Sequence, residues 1–264
     1  MGNNVDIDRL FDIRGKTALV TGASGGIGYM IADGLVRAGA KVWICSRKSA
    51  DILAAAERLR QFGVVESIAA DLSSEIGITA VAGVINAAGP LHILVNNAGT
   101  TWGAPIAQFP RAGFEKVLKL NLLAPFEMIK MLLPALRSAG TPTDPARVIN
   151  VTSVDGLKIP RWESYPYSAS KAGLNHMTRH LGKYLAGDHI TVNALAPGLF
   201  RTKMSDSMVD FEDATVLDEV ASPLGQRVGT PEDIVGGVIY LSSRAGAWLS
   251  GVTIPISGGR GTIE

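Results

Sequence analysis

Short β-rich apolar runs alternate with helix-length stretches along nearly the whole chain, and this alternation decides the fold class. Residues 16–21 (KTALVT) read as a strand that ends at a glycine cluster. A helix is expected over 26–38, a strand over 40–45, a helix over about 50–61 and a short strand over 65–69. After a further helix come a strand at 91–96, one long helix at 111–137 and a strand at 147–152. The pattern closes with a helix at 164–186, a strand at 190–196, a helix at about 231–242 and a strand at 252–256. Strands separated by helices imply crossover connections, hence a parallel sheet covered on both faces. Ligands of such sheets bind beyond the carboxyl ends of the strands, where the polar motifs of this chain fall.

The 264 residues suit one domain, with 1–12 as an appendage and no linker or repeat dividing the rest. Hydrophobic residues at 47% against 19% charged fit a well-buried core, not a disordered chain. A net charge of +1 gives no basic surplus for nucleic acid or a membrane surface. The lone Cys45 cannot form an internal disulfide, the N-terminus lacks a signal-peptide core, and no apolar run is long enough to cross a bilayer. Cytoplasmic location is the default expectation. Neither His92 and His189 nor the i,i+4 pair His176 and His180 form a metal-ligand pattern, so no metal is expected.

The first strand runs into TGASGGIG. Gly22, Gly26 and Gly28 permit a tight turn and close backbone approach to a pyrophosphate, with Ser24 and Ile27 beside them and a helix N-terminus following. An ordinary glycine-rich turn is the alternative for this segment alone. At the tip of the second strand stand Ser46 and Arg47, followed by Lys48. A carboxylate here would bind a ribose 2′-hydroxyl and repel a 2′-phosphate, whereas a guanidinium holds a phosphate in bidentate fashion. NADP(H) is therefore expected, the alternative being solvated loop charges.

Tyr167 and Lys171 are four apart in a helical stretch, which puts them on one face. A nearby ammonium favours the phenolate, so the expectation is a phenol held below its free value near 10 and able to exchange a proton with a carbonyl or alcohol oxygen. Ser153, at the end of the 147–152 strand, can steady the same oxygen. Taken singly, each also reads as a surface pair or a turn serine. Pro125 lies four residues after Asn121 and has no N–H, so the Asn121 carbonyl loses its helical partner.

TGASGGIG, Asn96-Asn97-Ala98-Gly99, Ser153, Tyr167-x-x-x-Lys171 and Pro197-Gly198 occur in the order found in the short-chain dehydrogenase/reductase family, and the chain resembles that family over residues 13–259. The resemblance implies a Rossmann-type, doubly wound α/β fold with a seven-stranded parallel sheet and helices on both faces, usually in a homotetramer. It implies a tetrad of Asn121, Ser153, Tyr167 and Lys171, with Lys171 also on the nicotinamide ribose and a water on the Asn121 carbonyl relaying protons. Asp71 and Leu72 would border the adenine. Asn97, Ala98 and Gly99 would support the cofactor, and Pro197, Gly198 and Thr202 would lie along the nicotinamide. Two departures stand out. Gly25 occupies a place where many NADP-dependent relatives carry a basic residue, and Ser257 stands before the late Gly258 where the family usually has Asp.

The segment 201–224 follows Pro197-Gly198, where the family carries a substrate lid. Met204, Met208, Val209, Phe211 and Leu217 stand there among polar residues; at helical spacing the alternative is ordinary packing, whereas an apolar lid suits a lipophilic substrate. Ser153, Trp162, Tyr167, Met204 and Met208 are the expected pocket residues, with Trp102 a weaker candidate. DLSSE (71–75), NNAGTTWGA (96–104) and PARVIN (145–150) resemble bacterial NADPH-dependent β-ketoacyl reductases. The expected activity is hydride transfer between nicotinamide and a ketone or secondary alcohol, with bulky ketones and 3-oxoacyl thioesters as candidate substrates. The alternatives are an NAD-linked alcohol or sugar dehydrogenase and a nucleotide sensor without catalysis.

Overall fold

The computed structural model describes residues 6–207, 209–213, 216 and 220–261. A short helix α1 (Ile7–Leu10) precedes β1 (Thr17–Thr21). There follow α2 (Gly26–Arg37), β2 (Lys41–Ser46), α3 (Ser49–Arg60), β3 (Val65–Ala69), α4 (Glu75–Ala88) and β4 (Ile93–Asn96). The second half comprises α5 (Arg111–Leu118), α6 (Ala124–Ala139), β5 (Ala146–Val151), α7 (Tyr165–Tyr184), β6 (Ile190–Pro197), α8 (Pro231–Ser242) and β7 (Thr253–Ile256). The seven strands form one parallel sheet in the order β3-β2-β1-β4-β5-β6-β7. The expected fold class is therefore the observed one.

Alternation along the strands explains the two layers, because successive side chains leave opposite faces of a sheet. Ala18 and Val20 of β1 pack with Ile31 and Leu35 of α2 and Ile234 and Val238 of α8. Leu19 of the same strand packs on the other face with Ile78 and Val81 of α4 and Met128 and Leu132 of α6. A residue at 34 cannot carry a side chain: a Cβ there would meet the Val235 methyls at 2.5 Å. That contact is what lets α2 and α8 lie close together over the first core.

The helix expected over 111–137 is interrupted. Residues Lys119–Leu123 form a wide π-type turn between α5 and α6, and the Ala124 N–H reaches back five residues to the Lys119 carbonyl. The cause is Pro125, which cannot supply an N–H to the ladder. Asn121 sits inside this turn and is buried.

One charged cluster closes the far end of the sheet from the glycine turn. The Arg147 side chain is fully buried; it donates to the Leu241 carbonyl at 3.1 Å, the Ser243 carbonyl at 2.9 Å and Asp144 at 2.9 Å. Lys16 reaches the same Asp144 carboxylate at 2.6 Å. The group pins β5 to the end of α8, and burial pulls the Arg147 guanidinium down while Asp144 opposes it. Among the described residues no helix is long and apolar enough to cross a membrane.

Candidate active site

The sheet order reverses at β1, which has β2 on one side and β4 on the other, and a cleft opens beyond the carboxyl ends there. Its volume is about 570 Å³. Gly22 and Gly26 adopt φ of +69° and +55°, the left-handed region that glycine tolerates. Gly25 precedes α2 and offers no side-chain cap, so the first N–H groups of the helix are left for another partner. Asn97 explains why position 28 is glycine. Its Nδ2 donates to the Thr21 carbonyl at 2.9 Å, and its backbone N–H donates to Thr21 Oγ1 at 2.9 Å. A Cβ at residue 28 would lie 2.4 Å from that Nδ2 and 2.5 Å from the Gly22 carbonyl oxygen. The Asn97 amide thus ties the ends of β1 and β4 together directly beneath the helix start.

All the residues named from the sequence as cofactor contacts line this one cleft: the glycine turn with Ser24 and Ile27, then Ser46, Arg47, Asp71, Leu72, Asn97, Ala98, Gly99, Tyr167, Lys171, Pro197, Gly198 and Thr202. They fit a dinucleotide bearing an additional phosphate. The Ser46 hydroxyl is buried yet has no hydrogen-bond partner among the described residues. Arg47 is exposed, and among the described residues it forms no hydrogen bond or ion pair; its charge only helps to hold the Asp71 carboxyl down. A free hydroxyl and a free guanidinium at one strand tip make a ready anion site. Asp71 owes its lowered carboxyl first to the Ser73 N–H, which it accepts at 2.9 Å.

Tyr167 and Lys171 stand on α7 facing the cleft, and Ser153 caps the start of the turn after β5. Tyr167 and Ser153 line the cleft together, and the Ser153 hydroxyl favours the Tyr167 phenolate. Lys171 Nζ lies 5.6 Å from the Tyr167 ring centre and donates to the Val151 carbonyl at 2.8 Å. The expectation that this ammonium holds the phenol below its ordinary value needs correction. Burial pushes the Tyr167 phenol up to about 12, with the Asp155 carboxylate adding to the rise and the Ser153 hydrogen bond opposing it. Burial also pushes Lys171 down to about 8. Desolvation outweighs the pair's mutual attraction because neither charge is surrounded by water. The resting site therefore holds a neutral phenol, suited to give a proton.

Asn121 does not line the cleft. Its Oδ1 accepts from the Thr100 N–H at 2.9 Å, and its Nδ2 donates to the Thr100 carbonyl at 2.9 Å and to Ser170 Oγ at 3.1 Å. The side chain is a brace between the loop after β4 and α7, so any proton-relay role falls to its main-chain carbonyl.

A second chamber of about 200 Å³ adjoins the cleft and shares Ser153, Tyr167 and Met204 with it. Trp162 lines it, as expected, together with Phe200, Val209 and Val220. Trp102 does not line it; its ring covers Gly113, where a Cβ would lie 2.8 Å from the indole. Met208 and Leu217 lie outside the described residues. Sequence reasoning missed Asp155 and Lys158, both of which line the chamber. Only their spacing from Ser153 could have pointed to them.

The family described as short chain dehydrogenase matches residues 16–213. The chain belongs to the short-chain dehydrogenase family. It is 44% identical over 250 residues to the rhamnolipids biosynthesis 3-oxoacyl-[acyl-carrier-protein] reductase of Pseudomonas aeruginosa, covering 94% of this chain and 97% of that one. It is 32% identical over 252 residues to the gluconate 5-dehydrogenase of Gluconobacter oxydans, covering 95% and 96%. Among solved structures, the Pseudomonas aeruginosa RhlG/NADP active-site complex superposes with a TM-score of 0.91 at 42% identity, covering 96% of this chain and 99% of that chain.

Proposed function

We propose that this short-chain dehydrogenase is an NADP(H)-dependent oxidoreductase that interconverts ketones and secondary alcohols, with Tyr167 as the proton donor and acceptor. The observation that carries the reading is the placement of Tyr167 and Ser153 together where the cleft meets the second chamber, with Lys171 beside the Tyr167 ring. Bulky or lipophilic ketones suit that chamber, and 3-oxoacyl thioesters are candidates because the Pseudomonas aeruginosa relative is named for reducing one. The segment 201–224 acts as the substrate lid of a single catalytic domain, with residues 1–12 as an appendage.

NADPH, when bound, supplies the hydride for the carbonyl carbon. The protein supplies the rest. Ser24, Ser46, Arg47 and the N–H groups at the start of α2 hold the phosphates, while Asn97 keeps the cleft floor in place. The substrate oxygen takes the place between the Ser153 and Tyr167 hydroxyls, Ser153 donating a hydrogen bond and Tyr167 giving its proton. The Lys171 ammonium stabilises the phenolate as it forms, and a water on the Asn121 carbonyl returns a proton towards Lys171. The same groups in reverse take the proton from an alcohol.

The test is NADPH oxidation by the purified protein, with NADH in parallel, across small aliphatic ketones, bulky aryl ketones and β-ketoacyl thioesters. Reduction needs a neutral Tyr167 and a charged Lys171. With the phenol near 12 and the ammonium near 8, kcat/KM for reduction should be level below about pH 7 and fall as pH rises through about 8. Alcohol oxidation, which needs the phenolate, should climb with pH instead. Ketone reduction that rises through pH 8 would remove Tyr167 from the proton-donor role.

We also infer a cytoplasmic homotetramer. Phe114 of α5, Leu123 of the π-type turn and Phe126 of α6 are exposed apolar side chains that association would cover. Light scattering should return four times the chain mass of 27.7 kDa, and a mass of one chain would refute it.

A further inference from the structure

The substrate chamber contains a carboxylate that the mechanism above does not use. Asp155 lies two residues after Ser153, in the single turn Val154–Gly156. Its position is fixed from both sides. The Asp155 N–H donates to Ser153 Oγ at 3.1 Å, and Gly156 is pressed so closely on α7 that a Cβ there would lie 2.6 Å from the Lys171 carbonyl carbon. The Asp155 side chain lines the chamber with Tyr167 and Ser153, among Val154, Trp162, Leu199 and Phe200. Among the described residues its carboxylate accepts no hydrogen bond and joins no ion pair. Burial pushes the carboxyl upward, and Lys158 opposes this by charge alone.

A carboxylate kept half-buried against apolar walls without a partner costs free energy, and the structure gives it no internal compensation. A ligand can provide it. The ligand group must be a hydrogen-bond donor, and it must lie near the substrate's reacting oxygen, because Asp155 shares the chamber with Tyr167 and its N–H binds Ser153 Oγ at 3.1 Å. Lys158, Arg161 and Arg260 also line the chamber, and they disfavour a second cation there. A hydroxyl therefore fits better than an ammonium. Resting on the ketone-reductase reading, we propose that Asp155 is a specificity-determining residue that accepts a hydrogen bond from a hydroxyl on the carbon beside the substrate carbonyl, so that the favoured substrates are α-hydroxy ketones. The hydride from NADPH adds to the carbonyl carbon, the carbonyl π pair takes the Tyr167 proton, and the neighbouring hydroxyl is unchanged. The products are a vicinal diol and NADP⁺, and the proton returned to Tyr167 comes from solvent.

A hydroxyl donating to Asp155 also offsets the negative charge that opposes ionisation of Tyr167. Its effect should thus reach the chemical step as well as binding. The titratable and charged groups that share the chamber with Asp155 are Lys158, Arg161, Arg260 and Tyr167, with Lys171 beside the Tyr167 ring. Of these, Arg260 is already engaged with the Ala221 carbonyl at 2.8 Å.

The experiment compares acetophenone, its α-hydroxy derivative and its α-methoxy derivative as substrates with NADPH, for the wild type, Asp155→Ala and Asp155→Asn. The methoxy compound keeps the oxygen but cannot donate. A hydrogen bond to a charged group is worth about 1.5–3 kcal/mol, so the wild type should favour the hydroxy over the methoxy ketone in kcat/KM by roughly 10- to 100-fold. Asp155→Ala should bring that ratio to about 1, and Asp155→Asn, a neutral acceptor, should leave it in between. The ratio cancels any loss common to both substrates, and the Asn variant serves if the Ala protein does not fold. A wild-type ratio near 1, or a large ratio that survives both substitutions, overturns the proposal while leaving the ketone-reductase reading intact. Absence of turnover on every ketone overturns both.

Discussion

Replacing Tyr167 with phenylalanine should lower ketone turnover by roughly 10²- to 10⁴-fold, the range expected when a positioned proton donor is lost. The ring keeps its place beside Lys171, 5.6 Å from Nζ, so only the hydroxyl disappears. No nearby group can replace it. Ser153 can still donate a hydrogen bond to the substrate oxygen, but an aliphatic hydroxyl is too weak an acid to deliver a proton. Tyr165 is not a substitute, because its hydroxyl is held by Glu163 at 2.7 Å. NADPH binding should change little, since the phosphate and adenine contacts lie at the other end of the cleft. Turnover and a fluorescence titration of NADPH, measured on the same preparation, separate the two effects. A variant that kept more than a tenth of wild-type turnover would place proton donation elsewhere. A wild type that bound NADPH tightly but turned over no ketone would favour the nucleotide-sensor reading.

How far the site could be read in the sequence depends on whether each feature is local. The glycine turn, the Tyr167–Lys171 spacing and the break at Pro125 are local, and each marks its place: a φ of +69° at Gly22, one helical face on α7, a π-type turn holding Asn121. The electrostatics of the pair were not legible. Spacing alone shows an ammonium four residues from a phenol, whereas the burial that drives the two groups to about 8 and about 12 arises only when α7 packs on β6 and on the turn Val154–Gly156. Asp155 was overlooked for the same reason. In the sequence it is one more loop acid, and its meaning comes from walls built by residues as distant as Phe200 and Val220. Arg147 reads as an interruption in an apolar strand; its three acceptors come from Asp144 and from the end of α8 almost a hundred positions later.

Arg47→Asp should shift the ratio of kcat/KM for NADPH over NADH by about 10²- to 10³-fold towards NADH. Two contributions of the same sign combine. A charge-assisted hydrogen bond to a 2′-phosphate is worth about 1.5–3 kcal/mol, and its removal weakens NADPH alone. The new carboxylate then repels the phosphate, with Asp71 already on the adjacent strand end, and can instead accept a ribose 2′-hydroxyl from NADH. Each 1.4 kcal/mol is tenfold. Arg47→Ala removes the first contribution without adding the second, so it should stop at about 10- to 100-fold. The fold should be indifferent to both changes, because Arg47 is exposed and has no hydrogen bond or ion pair among the described residues. Selectivity should not vanish in the alanine variant, since Lys48 and the unpartnered Ser46 hydroxyl line the same end of the cleft. High salt provides an independent check. The wild-type preference should shrink between 0.1 M and 1 M salt, as the screening length falls from about 10 Å to about 3 Å. Unchanged cofactor preference in Arg47→Asp would move the phosphate site away from the tip of β2 and leave the pairing of Ser46 and Arg47 without a role.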